Sequence, residues 1–362
     1  MKHSLLGPMT AVVVGTLLAL PAAADGYKFN LFDLPDNAVS IPVIGFSDFG
    51  QFAINAGGQV TGSYVDSDGH THGFLKNAGS LSVLNAPGAS STHDMGINAG
   101  GQIVGSYKDA IGTHGFVYSG GTYQTIDGPG SNYTEVTSIN DNGDIGWSYY
   151  DANFGDWGIN YAFVRSGGSD NLVTSGGPIW LSSLNVSGQV AVNFNYHGFY
   201  GTYLDPYPPG SSYWYTISTG INASGQVVGT DLAINYENGD AVERGFIYNA
   251  GSYTLLQVPG SDYSTFAAGI NDNGQVVGIY HDAVGYHGFV YSGGLYTTLN
   301  APGASQTFAT GINASGQVAG YYYDATGVVH GFIAAVPEPG EWAMLMSGIP
   351  LVGWQIRRKQ TT

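Results

Sequence analysis

The chain has 362 residues, only 10% of them charged, with a net charge of −17 and no cysteine. Thiol chemistry, thiolate metal sites and disulfide staples are thereby excluded. So few cations also exclude a nucleic-acid partner and leave anionic lipid headgroups nothing to pair with.

Read from the N-terminus, Lys2 and His3 precede an apolar stretch from Met9 to Leu20, and Pro21-Ala22-Ala23-Ala24 supplies small residues before Asp25. That layout predicts a secretory signal peptide over 1–24. An exported body without disulfides must then be held by packing and backbone pairing, which a body of this size can do. Its composition suits that task. Charge is replaced by 57 Gly, 26 Tyr and many Ser, Thr and Asn, as in a turn-rich all-β surface protein. The body carries five basic residues, Lys28, Lys76, Lys108, Arg165 and Arg244.

From Tyr27 onward the sequence repeats. A unit reads Gly-Ile-Asn-x-x-Gly-Gln-Val-Val-Gly-x-Tyr, a turn, His-Gly-Phe-Val-Tyr-Ser-Gly-Gly, and a closing Tyr-Thr-Thr-Leu-Asn-Ala-Pro-Gly. Its anchor falls at Ile54, Ile97, Ile139, Leu184, Ile221, Ile270 and Ile312. A period near 40–45 residues with four strand-like runs is the mark of propeller blades. The runs are β-branched and aromatic, as pleated surfaces prefer. Asn222-Ala223-Ser224-Gly225 and Ser292-Gly293-Gly294 are hairpin turns, since Asn and Gly accept unusual backbone angles. Gly inside the strands predicts close approach of neighbouring backbones.

The ends sharpen the expectation. Tyr27 to Pro35 matches the Tyr-Thr-Thr-Leu-Asn-Ala-Pro run, and the last unit stops after His330-Gly331-Phe332-Ile333 without one. Pairing the two would close an all-β, seven-bladed β-propeller over 25–335 and remove its exposed edges. A β-solenoid is the alternative, but it gives no reason for complementary ends. The repeat resembles the bacterial extracellular HAF repeat proteins, named for a His-Ala-Phe motif like the His-Gly-Phe here. The resemblance spans Tyr27 to Ala334 and implies an exported repeat protein with no established activity.

The His-Gly-Phe histidines are His72, His114, His197, His287 and His330, with Tyr161 and Arg244 at the same place in two other units. Metal binding needs imidazoles converging on one ion. Residues repeating once per blade more simply serve blade packing, so no metal and no cofactor is expected. The recurrent Asn-x10-Asp pairs, such as Asn98 with Asp109, lack the glycine and bidentate glutamate of a calcium loop. They read as turn residues at the two ends of one strand, and Asp66-Ser67-Asp68-Gly69 as an acidic turn. Of the Asn-x-Ser/Thr triplets at Asn132, Asn185, Asn222 and Asn313, three are the hairpin turn itself.

Between Tyr149 and Arg244 the repeat decays, and function in repeat proteins often sits where loops depart from consensus. Trp157, Tyr207, Tyr213, Trp214 and Tyr215 could stack on a sugar, which makes exopolysaccharide an expected partner. No catalytic residue is assigned, because no nucleophile elbow, metalloprotease motif or phosphate-binding loop is present. The competing expectation is a glycan hydrolase or lyase of the same matrix, using acids such as Asp151 and Asp156 across a cleft.

The chain ends on Pro337-Glu338-Pro339, an apolar run from Trp342 to Ile356, and Arg357-Arg358-Lys359. This tail, 336–362, resembles the PEP-CTERM sorting signal of Gram-negative bacteria that make exopolysaccharide. The resemblance implies a processing partner of the exosortase type, transient use of the inner membrane, and a mature form at the cell surface or outside the cell. The apolar run falls short of the roughly 20 residues of a comfortable span, and the basic cluster should remain cytoplasmic.

Overall fold

The computed structural model describes residues 26–35, 37–42, 50–151, 159–176, 179–194, 216–234, 241–262 and 264–336. Every regular element among them is a β-strand. β1 (Lys28–Asp33) and β2 (Ala38–Ser40) come first. The first unit holds β3 (Phe52–Ile54), β4 (Val60–Asp66), β5 (Thr71–Asn77) and β6 (Ser80–Leu84). The second holds β7 (Ser91–Ile97), β8 (Ile103–Lys108), β9 (Thr113–Ser119) and β10 (Thr122–Ile126). The third holds β11 (Thr134–Ile139), β12 (Ile145–Asp151), β13 (Ile159–Ser166) and β14 (Ser169–Gly176), and the fourth β15 (Ile179–Leu184) and β16 (Val190–Phe194). The fifth holds β17 (Thr216–Ile221), β18 (Val227–Ile234), β19 (Ala241–Asn249) and β20 (Ser252–Leu256). The sixth holds β21 (Ser264–Ile270), β22 (Val276–His281), β23 (Tyr286–Ser292) and β24 (Leu295–Leu299), and the last β25 (Ala304–Ile312), β26 (Val318–Asp324) and β27 (Val329–Ala335).

Within a unit, consecutive strands pair antiparallel as a meander, not as the stacked rungs of a solenoid. The seventh unit borrows its fourth strand. β1 lies antiparallel to β27, from Lys28 opposite Ala335 to Asp33 opposite His330. The first strands of successive units touch in turn, β3 with β7, β7 with β11 and so on to β21 with β25, and β25 also touches β3.

Local chemistry explains the strands. The Asn-x-x-Gly turn works because Gly225, at φ 81°, takes a left-handed conformation that other residues resist. The phenylalanine of the His-Gly-Phe runs at Phe74, Phe116, Phe289 and Phe332, and of Arg244-Gly245-Phe246, is fully buried, worth about 1.5–3 kcal/mol apiece. In four units the ring lies over the glycine of the second strand, Phe116 on Gly105, Phe246 on Gly229, Phe289 on Gly278 and Phe332 on Gly320, whereas Gly62 meets Phe52. A Cβ on Gly105 would lie 3.0 Å from the Phe116 ring and 1.9 Å from the His93 carbonyl oxygen. That carbonyl belongs to the first strand, just before a bulge between Asp94 and Gly96. The motif's own glycine faces the following unit: a Cβ on Gly115 would sit 2.6 Å from Val136 Cγ2. One glycine thus admits the ring and the bulge, and the other admits the neighbouring sheet.

The anchor asparagines join the units. Asn55 Nδ2 donates to the Asn98 backbone carbonyl at 2.9 Å, and Asn98 to Asn140 at 3.2 Å. Asn140 donates to Asn185 at 3.0 Å, Asn185 to Asn222 at 2.9 Å and Asn222 to Asn271 at 3.2 Å. Asn271 donates to Asn313 at 3.1 Å, and Asn313 back to Asn55 at 2.9 Å. All seven side chains are buried. In the same amides, Oδ1 accepts backbone N–H groups of its own turn, as from Gly57 and Gln59 to Asn55.

Gly105→Ala is expected to cost about 1–3 kcal/mol or more, because the first atom met is backbone and cannot swing away. Gly79 has open space around it, so Gly79→Ala should change stability little. Denaturant unfolding of the two variants checks the contrast.

Candidate functional site

Each second strand runs from the asparagine turn to a hairpin at the opposite end of the unit, where the histidines gather. His114 opens β9. Its Nδ1 lies 2.8 Å from Asp127 Oδ1 and its Nε2 3.2 Å from Asp109 Oδ1. Asp109 is the hairpin residue, and Asp127 follows the fourth strand. The bracket recurs with Asp66 and Asn85 on His72, Asp282 and Asn300 on His287, and Asp324 and Asp33 on His330. In the last case Asp33 comes from β1. The histidines are therefore spread one per unit and do not converge, and His197 lies outside the described residues.

A tyrosine on the second strand packs against each bracketed imidazole, stacked for Tyr107 and His114 at 5.1 Å and Tyr322 and His330 at 5.0 Å, and tilted for Tyr64 and His72 at 5.2 Å and Tyr280 and His287 at 5.2 Å. The third unit keeps the pair as two tyrosines, Tyr149 and Tyr161, at 5.0 Å. The fifth replaces it with charge. Arg244 Nη2 donates to Asp231 Oδ2 at 2.5 Å, and Thr216 Oγ1 donates to the other oxygen at 3.0 Å. Asp231 is wholly buried. Sequence reading saw Arg244 break the pattern but passed over Asp231, although it stands in the column of Tyr64 and Tyr107.

Electrostatics follow the geometry. Burial pulls the His114 imidazole down, and Asp127 and Asp109 more than reverse that, leaving it above its ordinary value. The backbone N–H groups of Ile111 and Gly112 hold Asp109 below the usual carboxylate range, with His114 adding to them. Asp66 is lowered by His72 first and then by the N–H groups of His70 and Asp68. Asp66, Asp68 and His70 lie close enough to share an ion. Yet Asp66 Oδ1 already accepts two backbone N–H groups and Oδ2 meets His72, so the group is a self-satisfied turn. The Asn-x10-Asp pairs likewise occupy opposite ends of one strand.

The aromatic candidates Trp157, Tyr207, Tyr213, Trp214 and Tyr215 lie outside the described residues, as do Asp156, Pro337, Glu338, Pro339, Arg357, Arg358 and Lys359. Asp151 is placed at the end of β12, opposite Ile159. Among the described residues no helix is long and apolar enough to cross a membrane.

Neither a protein-family model nor a curated protein matches the chain. Solved structures do. A streptogramin B lyase superposes with a TM-score of 0.53 at 12% identity, covering 86% of this chain and 99% of that one. The β-propeller domain of the Trilobed protease from Pyrococcus furiosus, described as having an open velcro topology, gives 0.51 at 10% identity over 80% and 94%. The fold is a β-propeller. The acylaminoacyl peptidase of Pyrococcus horikoshii agrees at 0.52 and 9% identity over 82% of this chain and 52% of that one. At such identities the likeness extends to architecture alone.

Because the folded-state value of His114 is raised, its bracket stabilises fully below the unfolded imidazole value of about 6.5 and is lost as pH rises through the folded value. NMR titration of His114 should give a midpoint above the ordinary one, and Asp127→Asn should move it down.

Proposed function

We propose that residues 25–335 form a closed ring of seven units, shut by β1 on β27, which is exported and displayed as a binding platform contacting exopolysaccharide. The observation that carries the ring is the asparagine cycle. An open arc would leave the last Nδ2 and the first carbonyl without each other, whereas Asn313 donates to Asn55 and Phe52 N donates to Thr310 Oγ1 at 2.9 Å. Export rests on the leader at 1–24 and on the tail. In that reading an exosortase-type enzyme removes Pro337 to Thr362 at the inner membrane and leaves the body at the surface of a Gram-negative cell or in its matrix.

Binding is favoured over catalysis because the imidazoles of His72, His114, His287 and His330 and their hairpin carboxylates are committed to one another and to backbone N–H groups. Contact with glycan is assigned to 152–158 and 195–215, which hold Trp157, Tyr207, Tyr213, Trp214 and Tyr215. The first of these segments joins β12 to β13. In the first, second, sixth and seventh units the same connection carries the histidine bracket.

Two measurements test the reading. Asn313→Ala should destabilise as much as Asn98→Ala, with about 1–3 kcal/mol of it from an orphaned buried carbonyl; a smaller loss than Asn98→Ala, that of the local turn bonds alone, would mean an open arc. Separately, the body should be retained on the host's own exopolysaccharide, and Trp157→Ala or Trp214→Ala should weaken retention about three- to tenfold, the worth of one aromatic contact. Absence of retention by the intact body removes the glycan assignment and leaves the ring untouched.

A further inference from the structure

Among the described residues Asp94 is the one carboxylate on the sheet-facing side of a first strand, where five other units put Val136, Leu181, Ser218, Ala267 and Ala309 just ahead of the same bulge. It is 1% exposed. The side chain reaches across the joint between the second unit and the first. Gly73 of β5 makes room for it, since a Cβ there would lie 2.4 Å from Asp94 Oδ1. Asp94 N donates to Ser63 Oγ at 2.8 Å. Thr61 Oγ1 lies 3.1 Å from Asp94 Oδ2 and 2.8 Å from the Phe74 carbonyl oxygen, and Asp94 Oδ1 has no hydrogen-bond partner.

Counting hydrogens decides the state of this group. Thr61 has one hydroxyl hydrogen, and two acceptors sit within reach of its oxygen. If the carboxyl were ionised, one of those contacts would set two acceptors face to face without a proton. If Asp94 carries the proton, both are satisfied: Oδ2–H donates to Thr61 Oγ1, and Thr61 donates to the Phe74 carbonyl. A bare carboxylate here would also hold its charge in a buried joint with only the Thr61 hydroxyl and the Phe74 N–H beside it, a cost of several kcal/mol.

We propose that Asp94 is a neutral carboxylic acid that donates its own proton to Thr61 and so latches the second unit onto the first, a joint that loosens when the proton is lost. Titratable or charged groups on the strands around it are Tyr64 and Asp66 on β4, His72 and Lys76 on β5, Tyr107 and Lys108 on β8, Tyr123 on β10, and His93 on its own strand. Lys76 is turned to the Ala78 carbonyl, so it does not neutralise the acid. Tyr123 is the group that would feel its ionisation: burial first, then the charge Asp94 carries once its proton is lost, pushes that hydroxyl up. Burial likewise raises the Asp94 carboxyl well above its ordinary value, against the smaller pulls of Thr61 and the Phe74 N–H. With the folded-state value above the unfolded one, the latch contributes fully below the unfolded value near pH 4. It weakens as pH rises toward the folded value and is gone above it.

The test is the infrared carboxylic-acid carbonyl band in wild type minus Asp94→Asn, followed with pH. Any acid band from Glu135, which is also raised, cancels in the difference. The band should be present at neutral pH and fade as pH climbs. In parallel, hydrogen exchange at the Asp94 and Phe74 amides reads the joint. After correction for intrinsic exchange, its opening should rise about tenfold per pH unit between the unfolded and folded values, and Asp94→Asn should be flat. No acid band in wild type near neutral pH overturns the proposal, as does an identical exchange slope in both proteins. Should Asp94→Asn fail to fold, Asp94→Val, the side chain of a sibling unit, serves as the blank.

Discussion

A primary amide offers two donors and two acceptor sites, and a buried one is costly unless they are filled. The anchor asparagine fills them in two directions at once. Oδ1 takes backbone N–H groups of its own turn, one Nδ2 hydrogen goes to the residue four ahead, as from Asn55 to Gln59 at 2.8 Å, and the other goes to the next unit. A single side chain therefore fixes the hairpin and sets where the neighbouring hairpin stands. Serine lacks the second donor and aspartate has none, so neither can perform both tasks. Each sheet inherits its position from the turn before it, and glycine gaps, phenylalanine rings and histidine brackets fall into register behind it.

The glutamine that meets the asparagine has a second use. Its amide oxygen covers the turn glycine of the following unit: a Cβ on Gly101 would lie 3.3 Å from Gln59 Oε1, and one on Gly225 3.0 Å from Gln189 Oε1. The third unit has Asp144 there. It still accepts from Asn140 at 3.0 Å, but it is one methylene shorter, and a Cβ on Gly188 would meet nothing within 4 Å. That unit adds other clips. Asp141 accepts from Ala99 N at 2.8 Å, and Asn142 donates to the Val186 carbonyl at 2.9 Å, so the Asn-Asp-Asn-Gly turn reaches both neighbours. The sixth unit does the same through Asp272 and Asn273.

Much of this was legible because repetition turns one chain into several internal comparisons. The hairpins, the all-β class and the matching runs at Tyr27 and His330 follow from residue types and spacing. The asparagine's outward bond was not legible: as a turn former Asn already has a sufficient local reason to recur, and nothing in the pattern signals a second partner 42 or 43 residues away. The strand glycines read as close approach, but which backbone approached depended on a bulge, and bulges leave no mark in hydropathy. Asp94 and Asp231 were detectable in principle, by aligning the units column by column and asking where a carboxylate replaces an apolar or aromatic neighbour. The decayed stretch from Tyr149 to Arg244 drew the reading instead, since departures there are longer and richer in aromatics.

A chain of net charge −17 cannot rely on ion pairs, and its few body cations show why. Arg165 is held by Asp170 at 2.7 Å while lying over Trp147, Arg244 by Asp231, and Lys76 by a backbone carbonyl. Arg165 and Arg244 are each paired within their own unit, while Lys76 also lies over the ring of Phe32 on β1. Joints between units are instead made from neutral groups: amides to carbonyls, threonine hydroxyls such as Thr219 to the Ala267 carbonyl at 2.8 Å, and packed methyls against glycine. Neutral hydrogen bonds carry a far smaller desolvation cost than ions when buried, and they are not screened by salt. Acids such as Asp109, Asp127 and Asp282 accordingly sit at hairpins and strand ends, while the wholly buried Asp231 is held by Arg244. Asp94 fits the same rule from the other side: a carboxyl can sit inside a joint of this kind only by giving up its charge.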